Sequence, residues 1–276
     1  MTPSEHEAAV RAWWAARDAR LREPDGWLTL VGLHWLEHGE NRFGADAANE
    51  IVLRGEGVPP NAGSLWLTDG AVRLVPATPA VARDGEPLGE AELAEDTTGE
   101  PTVIDLGTLR MYVIRRGDRL GLRVRDHAAP ALRSFQGMRH FPIDPGWRVN
   151  GRFVPAPTGQ EIEIMDVTGA VSHEPTPGRV VFERDGTPWT IEALPGDDED
   201  GSLWLIFADA TNGHETYGGG RFVYTEPVAP DGGVAVDFNL AYNPPCVFSP
   251  SATCPLPPPQ NRLALRIEAG ELVLGP

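Results

Sequence analysis

The segment Met111-Tyr-Val-Ile-Arg-Arg-Gly-Asp-Arg-Leu-Gly-Leu-Arg-Val124 holds two short apolar or alternating runs, Met111–Ile114 and Leu120–Val124, around Arg116-Gly-Asp118. Alternation places every second side chain on one face of an extended chain, and a glycine beside an aspartate supplies a tight hairpin turn. The same pattern continues upstream. Trp27–Val31, Ile51–Leu53, Leu65–Leu67, Val72–Val75 and Val103–Leu106 are strand-like runs, with Asp69-Gly70 and Asp84-Gly85 as turns. Downstream, a connector from Ala128-Ala-Pro130 to Pro142 leads into a second series. It comprises Trp147–Phe153, Glu161–Met165, Val180–Glu183, Trp189–Ala193, Leu203–Ala208, Phe222–Thr225, Val234–Phe238 and Leu263–Ile267, with Asp185-Gly186 as a further turn. The expectation is a mainly β protein: an antiparallel β-sandwich over residues 27–127, then a second antiparallel β-sheet or barrel unit over 128–276.

Residues 1–26 read differently. Ser4-x-x-Glu7 has the form of a capping box, and Val10, Trp13, Trp14 and Leu21 recur at helical spacing. An amphipathic helix over about residues 4–22 follows, ended by Pro24-Asp-Gly26, with the tryptophans packing it onto the body.

Composition narrows the function. Basic residues number 23 against 40 acidic ones, a net charge of −17, which argues against nucleic acid as a partner. No apolar stretch approaches the roughly 20 residues that cross a bilayer. The chain contains no lysine, so Schiff-base chemistry, a P-loop and a lysine general base are all excluded. The start, Met-Thr-Pro-Ser-Glu-His-Glu, lacks the basic and apolar regions of a signal peptide, and two cysteines do not make a disulfide scaffold. A cytoplasmic protein without a cofactor is expected; Asp197–Asp200 reads as a solvated loop tip.

Two segments could carry chemistry. In Asp209-x-Thr-Asn-Gly-His-Glu-Thr-Tyr217-Gly-Gly-Gly-Arg221, three glycines allow close backbone approach before an arginine that opens a strand. Arg221 could clamp an anionic group in bidentate fashion, or pair structurally with Asp209 or Asp237. In the proline-dense run Asp237–Asn261, Cys246 and Cys254 admit four readings: buried thiols, a disulfide, part of a metal site, or a nucleophile served by His140 or His214. Asp237, Asn239, Tyr242, Asn243 and Asn261 either cap loop backbone or orient a small polar ligand.

Taken as one site, these segments suggest a small-molecule-binding protein or an enzyme; in the enzyme, the expected catalytic residues are Asp209, Asp237, His140 and Cys246. Arg221, Tyr217, Tyr242, Asn243 and Asn261 are expected to bind, with no metal. The partners expected are a small polar or anionic ligand and, in assembly, a second copy in a homodimer. Hydrolysis is the reaction class. The rival expectation is a non-catalytic interaction module in which the first sandwich docks a partner.

Two resemblances accompany these readings. Asn41-Arg-Phe-Gly44, Asn49-Glu-Ile-Val-Leu53, Ser64-Leu-Trp-Leu67 and Asp84-Gly85 resemble the order of elements in forkhead-associated domains, which are phosphothreonine-binding sandwiches. The family's Ser-x-x-His reads Ser64-Leu-Trp-Leu67 here, and its Asn-Gly reads Asp84-Gly85. An aspartate there would repel a phosphate dianion, so the resemblance implies shape and not phosphopeptide binding. Gly26–Leu36, Phe207–Phe222 and Asp237–Asn261 together resemble a bacterial and archaeal family catalogued only as domain of unknown function 1684. That likeness spans nearly the whole chain and implies no activity.

Overall fold

The computed structural model describes residues 2–197 and 200–274. The protein is mostly β-strand, with one long N-terminal helix. Its chain divides into two compact units, Leu21–Phe135 with Phe248–Ala252, and Met1–Arg20 with Gln136–Val247 and Thr253–Pro276. The N-terminal helix therefore belongs, through Arg20, with the C-terminal half of the sequence.

The first unit contains two sheets. Six strands are ordered Leu30–Trp35, Arg119–Asp126, Leu109–Arg116, Ile104–Leu106, Ala82–Arg83 and Glu86–Pro87; five are ordered Ile51–Val52, Gly39–Gly44, Gly63–Thr68, Ala71–Pro76 and Ala91–Leu93. Alternate residues of both sheets, among them Phe43, Leu65, Leu74, Ile104, Met111, Val113, Leu122 and Val124, fill one core. The unit's strands pair antiparallel except where Phe43-Gly44 runs parallel to Ile51-Val52, and an isolated bridge between Glu95 and Val113 is also parallel. Arg116 pairs with Arg119 across Gly117-Asp118, and the Asp-Gly hairpins at 69–70, 84–85 and 185–186 have positive φ at both turn residues. Ser64–Leu67 lies in a strand and Asp84-Gly85 in a turn. Any antiparallel sandwich would place them so, and they do not single out a forkhead-associated domain.

The second unit is built on a six-stranded antiparallel sheet ordered Arg221–Tyr224, Leu203–Phe207, Thr187–Pro195, Gly178–Arg184, Arg148–Pro155 and Gly233–Asp237. A bridge between Thr225 and Val236 joins its two outer strands, so the sheet curls toward closure at one end. The hairpin Glu161–Met165 with Val171–Pro175 forms a separate two-stranded sheet. Ile162 and Ile164 from it pack with Ile206 and Phe222.

The N-terminal helix runs Pro3–Leu21 and its capping box is shifted from the expected one. Thr2 accepts from Glu5 N at 3.3 Å, while Thr2 N donates to the Glu5 carboxylate at 2.7 Å. Pro3 at the first helical position explains the shift, since its fixed φ suits a helix start and its missing N–H is not needed there. The buried stripe contains His6, Val10, Arg17 and Leu21, with Trp13 and Trp14 half-buried, so two of its members are polar.

One expected strand is absent. Leu263–Ile267 joins no sheet, because side chains and loop backbone take its hydrogen bonds. Ile267 N donates to Asp209 Oδ2 at 2.8 Å, Arg221 donates to Ile267 O, and Ala210 N donates to Leu265 O. The acidic run expected as a loop tip lies partly outside the described residues, at Asp198 and Glu199. Of its ends, Asp197 accepts from the Tyr224 hydroxyl and Asp200 from Ser202 N.

Candidate functional site

The residues expected to form the site lie in the second unit, but most are committed to holding its own backbone. Arg221 is fully buried. Its Nη2 donates to Asp209 Oδ1 at 3.1 Å and to Ile267 O at 2.9 Å, and its Nη1 donates to Ala269 O. Asp209 also accepts from the Thr211 hydroxyl and from Ile267 N. Burial pulls the Arg221 pKa down, and the Asp209 charge and hydrogen bond oppose it. The expected anion clamp is thus a closed ion pair. A guanidinium with no exposed surface cannot meet an external anion, and Asp209 has no exposed side chain with which to move a proton.

The glycines beside it have packing explanations. The Tyr217 ring lies so close to Gly219 that a Cβ there would sit 2.5 Å from it. Gly220 has φ of +90° and abuts Pro257. The glycine–arginine segment and the prolyl run do meet, as expected, but they meet as packed core.

Asn261 is likewise an architectural residue. Its amide accepts from Glu192 N at 2.8 Å and donates to Glu192 O and Ile206 O at 2.9 and 2.8 Å, leaving nothing for a ligand. Asn243 donates to Leu272 O, and its backbone N–H donates to the buried Glu271 carboxylate. Burial raises the Glu271 pKa; Arg17, 3.4 Å away, opposes that rise. Tyr242 packs against Trp13 and Phe222 and lies under the Arg17 guanidinium, with burial pushing its pKa up to about 12. Cys246 and Cys254 are joined by a disulfide, so Cys246 is not a free nucleophile and neither sulfur is a metal ligand. His140 stacks on Trp14 at 3.8 Å and is pushed down to about 4 by burial. His214 is exposed.

Asp237 is the exception. Its Oδ2 lies 2.5 Å from Nε2 of His6, a residue only 4% exposed, and its Oδ1 accepts from both the backbone and the amide nitrogen of Asn239. Asn239 in turn is fixed by Asp144, donating to its carbonyl and accepting from its N–H. The imidazole is therefore held through two further residues. With Nε2 turned to the carboxylate, Nδ1 remains, and it is buried without a hydrogen-bond partner. His6 lines a cavity of about 270 Å³ together with Thr2, Pro3, Pro145 and Arg148. Arg148 pairs with Glu226 at 2.5 Å in a partly exposed bridge. Neither His6 nor Arg148 is among the residues expected from the sequence. The one signal for His6 was its place four residues before Val10 on the helix's buried stripe, where a polar residue is unexpected.

The model of a family described as protein of unknown function (DUF1684) matches residues 133–272, slightly more than half of the chain. The chain belongs to that family. A solution NMR structure of an uncharacterized protein from Haloarcula marismortui is 31% identical, with the match covering 52% of this chain and 80% of that one at a TM-score of 0.43. No curated protein matches. The DUF1684 region holds Asp209, Arg221, Asp237, Asn261 and both cysteines, together with Pro145 and Arg148 of the cavity. Thr2, Pro3 and His6, the remaining walls, precede it.

Proposed function

We propose that this DUF1684 protein binds a small anionic molecule in the cavity at the start of its N-terminal helix. The observation that carries the reading is on His6, a residue lining that cavity, whose ring nitrogen Nδ1 is buried with no hydrogen-bond partner. Such an atom costs about 1–3 kcal/mol, which a ligand hydrogen bond would recover. Two further features support an anion. Arg148 lines the cavity, and the helix N-terminus presents its positive end there. Asp237 then acts as a positioning residue that fixes the His6 ring, and Arg148 takes the role expected of Arg221.

The cavity favours binding over hydrolysis. Its one hydroxyl, that of Thr2, is engaged in the helix cap. A thermal-shift and calorimetric screen of small carboxylates and phosphates tests the reading. A ligand should stabilise the wild type and bind about tenfold more weakly to Arg148→Ala, equivalent to about 1.4 kcal/mol. Equal affinity for both proteins would remove Arg148 from the site, and no binder at all would remove the function.

A further inference from the structure

A second cavity, of about 260 Å³, lies in the first unit. Three of the residues that line it carry reactive or charged side chains: His34, Arg54 and Ser251. Among the described residues none of the three is ion-paired, and neither the Ser251 hydroxyl nor the His34 ring has a hydrogen-bond partner. Val31, Leu33 and Val52 supply apolar wall.

Several features place these groups. His34 sits on the Leu30–Trp35 strand, whose pairing with Arg119–Asp126 shifts register between Leu30 and Gly32. Such bulges re-aim side chains and are frequent beside active sites. At Gly32 a Cβ would lie 3.3 Å from His34 Nε2, so the glycine leaves that nitrogen uncrowded. Burial lowers the His34 pKa, which favours the neutral imidazole a general base requires. Ser251 lies on the loop that the Cys246–Cys254 disulfide closes, and its N–H donates to Ser249 Oγ at 3.1 Å. The flanking Phe248 ring packs edge-on against Phe135, 6.3 Å between centroids. A stapled loop reduces the freedom of the hydroxyl it carries.

We infer that this cavity is a serine acyl-transfer site for small esters bearing an anionic group, with Ser251 as nucleophile, His34 as general base and Arg54 as the anion-binding residue. Ser251 Oγ bonds to the ester carbonyl carbon as its proton passes to His34. The bond to the leaving alkoxide then breaks, and that oxygen takes the proton. Water next gives a proton to His34 as its oxygen adds to the acyl carbon. The Oγ–carbon bond breaks and Ser251 recovers the proton, so ester and water become acid and alcohol.

The test treats the full chain with a fluorophosphonate probe and maps the adduct by peptide mass spectrometry. A mono-4-nitrophenyl succinate assay is run in parallel. The inference expects the label on Ser251, its loss in Ser251→Ala, and labelling slowed at least tenfold in His34→Gln. Arg54→Ala should leave labelling by the neutral probe intact while raising KM for the anionic ester and not for 4-nitrophenyl acetate. Far-ultraviolet circular dichroism checks that each variant folds. An unlabelled Ser251, or labelling indifferent to His34→Gln, overturns the inference; labelling with no Arg54 effect on KM overturns its substrate class.

Discussion

Asp209 and Arg221 face each other across 3.1 Å with no solvent on either side chain, and between them they hold the backbone of Ile267 and Ala269. This pair replaces the strand that the Leu263–Ile267 pattern suggests. Removing one partner of a buried pair leaves an uncompensated charge, which costs about 3–5 kcal/mol. Arg221→Ala and Asp209→Ala should each lower unfolding free energy by that order in urea denaturation. Lysine at 221 should rescue little, because one ammonium cannot reproduce the guanidinium's several directed bonds. A loss below about 1 kcal/mol in either variant would contradict the structural role.

Asn261 joins the strand at Glu192 to the strand at Ile206 through one side chain. Asn261→Ala orphans three backbone groups and should cost about 2–4 kcal/mol. Asn261→Asp should cost at least as much, since a carboxylate would face two carbonyl oxygens without a donor. Chemical denaturation of both variants decides it; an aspartate variant more stable than the alanine one would show that the amide does not donate.

The loop between Cys246 and Cys254 is short, with a sequence separation of 8. Closing a loop of that size removes unfolded-state entropy worth about 2–3 kcal/mol. A Cys246→Ala, Cys254→Ala double variant should match the wild type in reductant, each less stable than the oxidised protein by about that amount. Identical denaturation midpoints with and without reductant would contradict this.

His140 gives the fold a pH dependence. Burial against Trp14 pushes its imidazole down to about 4 from the usual 6.5, with Asp18 opposing. Between these values the unfolded chain binds a proton that the folded chain excludes, so stability is present above about pH 6.5 and is lost as pH falls toward 4. Partial exposure of the ring reduces the effect to about 1–2 kcal/mol. His140→Phe keeps a ring on Trp14 and removes the titration. Between about pH 7.5 and pH 5 it should lose less stability than wild type by about 1 kcal/mol; equal losses would show that His140 does not titrate in this way.

Local signals explain what the sequence disclosed. Asp69-Gly70, Asp84-Gly85 and Asp185-Gly186 specify hairpins through residues that tolerate positive φ, so strands and turns were readable without tertiary knowledge. Leu263–Ile267 misled because its apolar alternation is real, while the partners of its backbone, Asp209 and Arg221, lie some 50 residues away in sequence. The Asp237–Asn261 run was identifiable as structured, since prolines and Asx residues mark an ordered coil. Whether each polar group faced a ligand or the backbone depended on side-chain direction, which spacing does not encode. Asn261 and Arg221 turned inward to backbone, whereas Asp237 turned to His6, 231 positions earlier. No pattern along the chain links that pair.

An anion site built on His6 and Arg148 can be observed by imidazole nitrogen NMR of the full chain during titration with phosphate or succinate. The His6 ring nitrogens should shift saturably in the wild type and should not shift in Arg148→Ala. A His6 signal that stays fixed while other resonances report ligand binding would contradict it.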